Sequence, residues 1–143
     1  MMDEAPAPAI GFLLQRAHNA LRSRLVAQLE GTDLHLGHVA ILGTTFASPG
    51  LSQRDLSRVT GIEKSSIVIF VDHLERTGWL RRAPHPGDRR AHALYITSEG
   101  ATRLADIGPK LAEAEARFLS PLSEDERGAL LVGLTKLTDA GSG

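Results

Sequence analysis

Five consecutive apolar residues, Ile67 to Val71, sit inside the stretch SSIVIFVDHLE, between polar segments that read as helical. Four of the five are β-branched, and in isolation such a run favours a buried strand. Placed on a helix at about 100° per residue, the same residues sort into two faces. Ile67, Val71, Leu74 and Gly78 cluster on one side with Phe70 beside them, the stripe of a core-facing helix. Ser65, Ile69, Asp72, His73 and Arg76 fall opposite, with Val68 on the flank. A strand would leave Asp72, Glu75 and Arg76 just past its end with no turn signal between. The helix is therefore preferred. It leaves Ile69, and partly Val68, turned outward.

The flanks are consistent with a helical chain. Ala9–Glu30 carries Phe12, Leu13, Ala17, Leu21, Leu25 and Leu29 at helical spacing and ends at Gly31. His35–Ser48 is a second, weaker helix, interrupted by Gly37 and Gly43. Ser52 followed by Asp55 forms a capping-box-like start for a short helix that stops near Gly61. Trp79–Thr97 reads as a hairpin, with Leu80–Ala83 and Ala91–Thr97 as strands and Leu94 and Ile96 on one face. Pro84, Pro86 and Gly87 forbid regular pairing at its tip, PHPGDRR, which stands out as a flexible basic segment. A long helix follows from Thr97 to about Phe118, with Leu104, Ile107, Leu111 and Phe118 as core candidates and a kink at Gly108-Pro109. Ser123 and Glu126 cap a last helix bearing Leu130, Leu131, Leu134 and Leu137. MMDEAPAPAIG reads as a frayed arm and DAGSG as a disordered tail.

The 143 residues fit one domain, with aromatic content of only 4% and hence an aliphatic core. The absence of cysteine excludes disulfides, thiolate metal sites and cysteine redox sensing, and fits a cytoplasmic protein. No apolar run approaches the ~20 residues of a membrane span, and the acidic start is no secretory signal. Net charge is −1, but residues 73–92 carry +3 against −4 elsewhere. One basic segment on an acidic body is either a local electrostatic footprint for nucleic acid or a solvated charged loop.

Two short helices joined by a Gly-containing turn, then a hairpin with a basic tip, describe a winged helix-turn-helix. In register with that pattern stand D-H-L-E-R-x-G-W-L-R-R, P-G-D-R-R and L-Y-I-T-x-E-G, all within residues 51–100. This run resembles the MarR family of bacterial transcription regulators, and the flanking helices extend the resemblance over nearly the whole chain. The resemblance implies a mainly α fold with a small β-hairpin wing. It implies a single domain over 1–143, with dimerisation helices at 9–30 and 101–139 around a winged helix-turn-helix core at 36–100. It further implies a homodimer on a palindromic duplex operator, usually a repressor, often relieved by a small aromatic or phenolic acid. No cofactor is expected.

By position, Asp88 and Arg90 match the family's wing motif, in which Arg enters the minor groove and Asp orients it; a narrow minor groove attracts Arg electrostatically. Arg89 suits phosphate or an acidic residue of its own subunit. Ser52, Gln53, Lys64, Ser65 and Ser66 join them at the helix starts, where N-termini and hydroxyls hold phosphate or bases; Ser65 or Ser66 alternatively only caps the helix. His73 shares the outward face. Arg76 either binds phosphate or pairs with Asp72 at i, i+4. The sequence departs from the family at Val68 and Ile69, where many members carry Ser, Thr or Arg. No bidentate base reader stands at mid-helix. Ile69 contacts thymine methyls or packs against protein.

Phe12, Gln15, Arg16, His38, Val39 and Leu42 match a family region that lines an effector pocket, where Arg and His beside apolar walls suit an organic acid. His35 and His38, three apart, offer a metal reading against the plainer one of cap and surface histidines. A phosphate loop, nucleophile elbow and metalloprotease motif are all missing, and Asp72 and His73 diverge by ~100° on a helix, so no enzyme is expected. The alternatives are a winged helix that binds only protein and a metal-responsive regulator.

Overall fold

The structure, a computed structural model, describes residues 9–141. The proposed N-terminal arm, residues 1–8, and the last two residues of the tail lie outside that range. The element order is α1 (Ile10–Gln28), α2 (Leu36–Ala47), α3 (Gln53–Thr60), α4 (Lys64–Arg76), β1 (Leu80–His85), β2 (Asp88–Ile96), α5 (Ser98–Phe118) and α6 (Glu124–Gly141). α6 takes in Asp139–Gly141, so this part of the expected disordered tail is helical. These six helices and one antiparallel hairpin form the mainly α winged helix-turn-helix expected from the sequence.

The apolar run is helical. Ile67, Val71 and Leu74 are fully buried, while Val68 and Ile69 remain 43% and 66% exposed, so the periodicity placed both faces. The buried face meets Ile41 and Leu42 of α2, Leu56 of α3, and Leu80 and Leu94 of the hairpin in one core. Each such buried aliphatic contributes about 1.5–3 kcal/mol. A second, smaller cluster of Leu29, Leu34 and Ile107 ties the end of α1 to α5, with Trp79 bridging the two cores.

Local chemistry fixes the joints. At α3 the capping box is reciprocal: Asp55 N donates to Ser52 Oγ at 3.1 Å, and Ser52 N donates to Asp55 Oδ2 at 3.2 Å. The Ser52 backbone N–H first, and the Ser52 hydroxyl second, hold the Asp55 carboxyl below its ordinary value. The α3–α4 turn needs φ +74° at Gly61, a conformation open to glycine. Gly37, which looked like a helix weakness, is a packing device: a Cβ there would lie 2.3 Å from the Phe70 ring.

The hairpin is longer than its turn residues suggested. Pairing runs from Leu80↔Ile96 through Pro84↔His92 to His85↔Asp88, with a register irregularity between Pro84 and His85. A two-stranded ribbon has free outer edges, so a proline can be tolerated where its missing N–H faces outward. Leu51 pairs with Leu94 in an isolated bridge that anchors β2 to the loop before α3. α5 runs unbroken through Pro109. Thr97 caps α5, accepting from Gly100 N, and also donates to the Gly78 carbonyl at 2.6 Å, joining the two ends of the hairpin.

Candidate nucleic-acid interface

Three elements meet at one groove: α3, the N-terminus of α4 and the hairpin end. The groove, of about 510 Å³, is lined by Ser52, Arg54, Asp55, Ser57, Arg58, Lys64, His85, Asp88 and Ala91. Ser52, Lys64 and Asp88 of this set were picked from the sequence. Arg54, Arg58 and His85 were not, although two arginines four apart on α3 are a legible stripe. Arg58 is partly committed, 3.3 Å from Asp55.

On α4, Lys64 and Ser65 are exposed and Ser66 is half-buried. The N-cap is Glu63, with no side-chain cap bond, so neither serine caps the helix. Of the two readings of Arg76, pairing with Asp72 does not form: Asp72 instead bonds Arg82 of β1 at 2.6 Å. Arg76 is exposed and enters none of the ion pairs among the described residues. At the tip, Asp88 Oδ1 accepts the Arg90 backbone N–H at 2.9 Å, so the acid orders the turn through its main chain. Arg89 and Arg90 are exposed, and Gln53 is half-buried at the start of α3.

His73 does not share the outward face. Its ring stacks on His38 of α2, with centroids 4.6 Å apart and planes at 27°. The reason is its position three residues after Phe70, on the flank that meets α2. His73 Nε2 is buried without a hydrogen bond, 3.9 Å from Asp33 Oδ2. His38 also meets Phe70 edge-on at 4.9 Å, and its Nδ1 accepts the His35 backbone N–H at 2.9 Å. Burial, then the neighbouring His73 and His35, lowers the His38 imidazole to about 4. His38 is thus a neutral ring that completes the start of α2. The described residues contain no group of three or more His, Cys, Asp or Glu placed to hold a metal ion.

A second cleft, of about 690 Å³, opens under α1, lined by His18, Arg22, Leu25, His35, Leu36, Gly37, Val39, Ala40, Thr60, Ile62, Phe70, Gly108, Leu111, Ala112 and Glu115. Of the six effector-pocket residues expected, only Val39 lines it. His38 and Leu42 are buried behind it. Phe12, Gln15 and Arg16 lie further toward the N-terminus of α1: Arg16 sits 5.9 Å from the exposed Phe12 ring, and Gln15 bonds Asn19. The α1 groups that reach the cleft are His18 and Arg22, whose i, i+4 spacing with Leu25 beyond marks the stripe.

Comparison with known proteins follows the same lines. The profile described as MarR family matches residues 32–91. A protein of Thauera aromatica, named as a candidate transcriptional regulatory protein for the hcr operon, is 34% identical over 131 residues, covering 91% of this chain and 78% of the relative. The chain belongs to the MarR family. The transcriptional regulator PecS of Dickeya dadantii is 30% identical, over 82% of this chain and 69% of its own length. Among MarR-like solved structures, PcaV of Streptomyces coelicolor in complex with its natural ligand superposes with a TM-score of 0.81 at 28% identity, covering 99% of both chains. The repressor CouR bound to a 23-mer DNA duplex superposes with a TM-score of 0.79 at 29% identity, covering 90% of this chain and 92% of that one. The protein is a MarR-type transcriptional regulator. Its relatives are regulators, which points away from an enzyme. No helix among the described residues is long and apolar enough to cross a membrane.

Proposed function

We propose that this MarR-type regulator acts in the cytoplasm as a homodimeric repressor on a palindromic operator and that a small organic acid in the α1 cleft relieves it. The observation that carries the DNA reading is the groove in which the start of α3, Lys64 of α4 and the hairpin end meet. Around it α4 exposes Lys64, Ser65, Ile69 and Arg76, and the wing tip exposes Arg89 and Arg90. Arg90 suits the minor groove, the hydroxyls and helix N-terminus suit phosphate, and Ile69 suits thymine methyls. CouR, seen with DNA, supports this use of the fold.

The dimer reading rests on the terminal helices. α1 buries none of its residues against the rest of the chain, and Leu130, Leu131 and Leu137 of α6 are exposed. α1, α5 and α6 together line an apolar groove that includes Leu14, Leu21, Phe118, Leu130, Leu131 and Leu134. A second copy covering this surface would set the two recognition helices, α4 of each copy, about 34 Å apart, one helical turn of DNA. The division into dimerisation helices at 9–30 and 101–139 and a reading core at 36–100 follows this plan. Arg22 and His18 would meet the effector's carboxylate, with Leu25, Val39, Ile62 and Phe70 as apolar walls. An effector acts only through its unequal affinity for the two spacings of the reading heads.

Selection of duplexes from a random library tests the DNA reading. Enrichment of an inverted repeat is expected. Ile69→Ala should then weaken the enriched duplex by about 1 kcal/mol while leaving random DNA unchanged. Equal loss on both would sink the methyl contact; no enrichment would favour a protein-binding winged helix.

A further inference from the structure

The basic segment at 73–92 holds five arginines, and the structure divides their labour. Arg89 and Arg90 stand exposed at the tip. Arg81 lies over the Tyr95 ring at 4.4 Å. Arg82 turns inward. It sits opposite Leu94 in the ladder, and Leu94 belongs to the core that α4 helps build. Its side chain is only 27% exposed, and its guanidinium meets two acids of α4. Nη2 donates to Asp72 Oδ1 at 2.6 Å, and Nε lies 3.2 Å from Glu75 Oε2 as an ion pair outside hydrogen-bond geometry. Asp72 and Glu75 are three apart, so both carboxylates line one side of the helix and flank the planar fork.

We infer that Arg82 is a positioning residue for DNA recognition: it pins the wing to the recognition helix and cancels two carboxylates beside the DNA-facing surface, without touching DNA itself. This rests on the DNA-binding reading above. Two reading elements held on one frame lose less freedom on binding than two that move separately. Leaving Asp72 and Glu75 uncompensated would also set negative charge beside phosphate.

Anisotropy titration of a duplex that the wild type selects from a random library, across a range of salt, tests the role. Arg82→Gln should weaken binding at least tenfold and lower the slope of log affinity against log salt by well under one, because no phosphate contact is lost. Arg90→Ala, by contrast, should lower the slope by about one. On an Asp72→Asn/Glu75→Gln background, Arg82→Gln should cost less than threefold, since its partners are already neutral. Arg82→Lys keeps the charge, loses the fork, and should fall between; it serves also if the glutamine variant does not fold. A slope lowered by about one in Arg82→Gln would make Arg82 a phosphate contact and overturn the inference, as would a full tenfold loss on the neutral background. Hydrogen exchange on the free protein separates this failure from failure of the DNA reading. Amides of residues 80–96 should exchange at least tenfold faster in Arg82→Gln, with α5 still protected. Unchanged wing exchange overturns the clamp whatever the DNA result. Faster wing exchange with no duplex selected by the wild type overturns the positioning role through the DNA reading alone.

Discussion

His38 is held neutral by burial and by the neighbouring His73 and His35. Its folded value of about 4 lies below the ordinary imidazole value. As pH falls, the unfolded chain therefore takes up the proton first. The stability from the neutral ring is complete above about pH 6.5 and is lost as pH approaches 4. Between pH 6.5 and 4.5 the wild type should lose about 2 kcal/mol more than His38→Gln, which keeps an acceptor for the α2 start but cannot titrate. Urea unfolding at the two pH values reads the difference; parallel losses would show that the ring is not held neutral. Gly100 offers a second test. A Cβ there would meet the Trp79 carbonyl oxygen at 2.2 Å, and backbone cannot swing away as a side chain can. Gly100→Ala should cost more than about 2 kcal/mol in the same assay.

At the scale of elements, the capping box at α3 is the most separable contribution. Ser52→Ala should destabilise by about 1 kcal/mol, measured by thermal unfolding, because Asp55 N loses its acceptor. The span of α3 and the burial of Ile67, Val71 and Leu74 were legible in the sequence, since helical periodicity and caps are local signals, but Gly78, expected on the core stripe of α4, lies past the helix end at Arg76 with φ +84°. Other features were not. His73 looked outward because its direction was averaged over a whole face, whereas the His38 ring across the helix boundary decides it. The strands outran their proline because ladder pairing is set by the partner strand. The cleft residues on α1 were placed too far toward its N-terminus, since crossing geometry between α1, α2 and α5 is absent from any single helix's pattern. Asp72 likewise found its partner in Arg82, ten residues on, across a helix–strand contact.

The molecule as a whole presents an imbalance that a single chain does not resolve. Its reading core is well packed, while α1 and α6 leave large apolar side chains in water, among them Phe12, Leu131 and Leu137. Patches of this kind mark interaction surfaces. A homodimer that covers them would also place two wings on one operator. Leu131→Glu with Leu137→Glu should convert the dimer to monomer in light scattering, with weaker operator binding as a consequence. A monomeric wild type would remove this explanation of the terminal helices.

The most direct measurement is anisotropy titration of a labelled duplex selected by the wild type, comparing wild type with Arg90→Ala at two salt concentrations against random competitor. Selective binding that weakens with salt, and a loss of about 1–3 kcal/mol on Arg90→Ala, are the predicted results. Binding that does not distinguish the selected duplex from random DNA, or that is indifferent to Arg90, would contradict a DNA-reading wing.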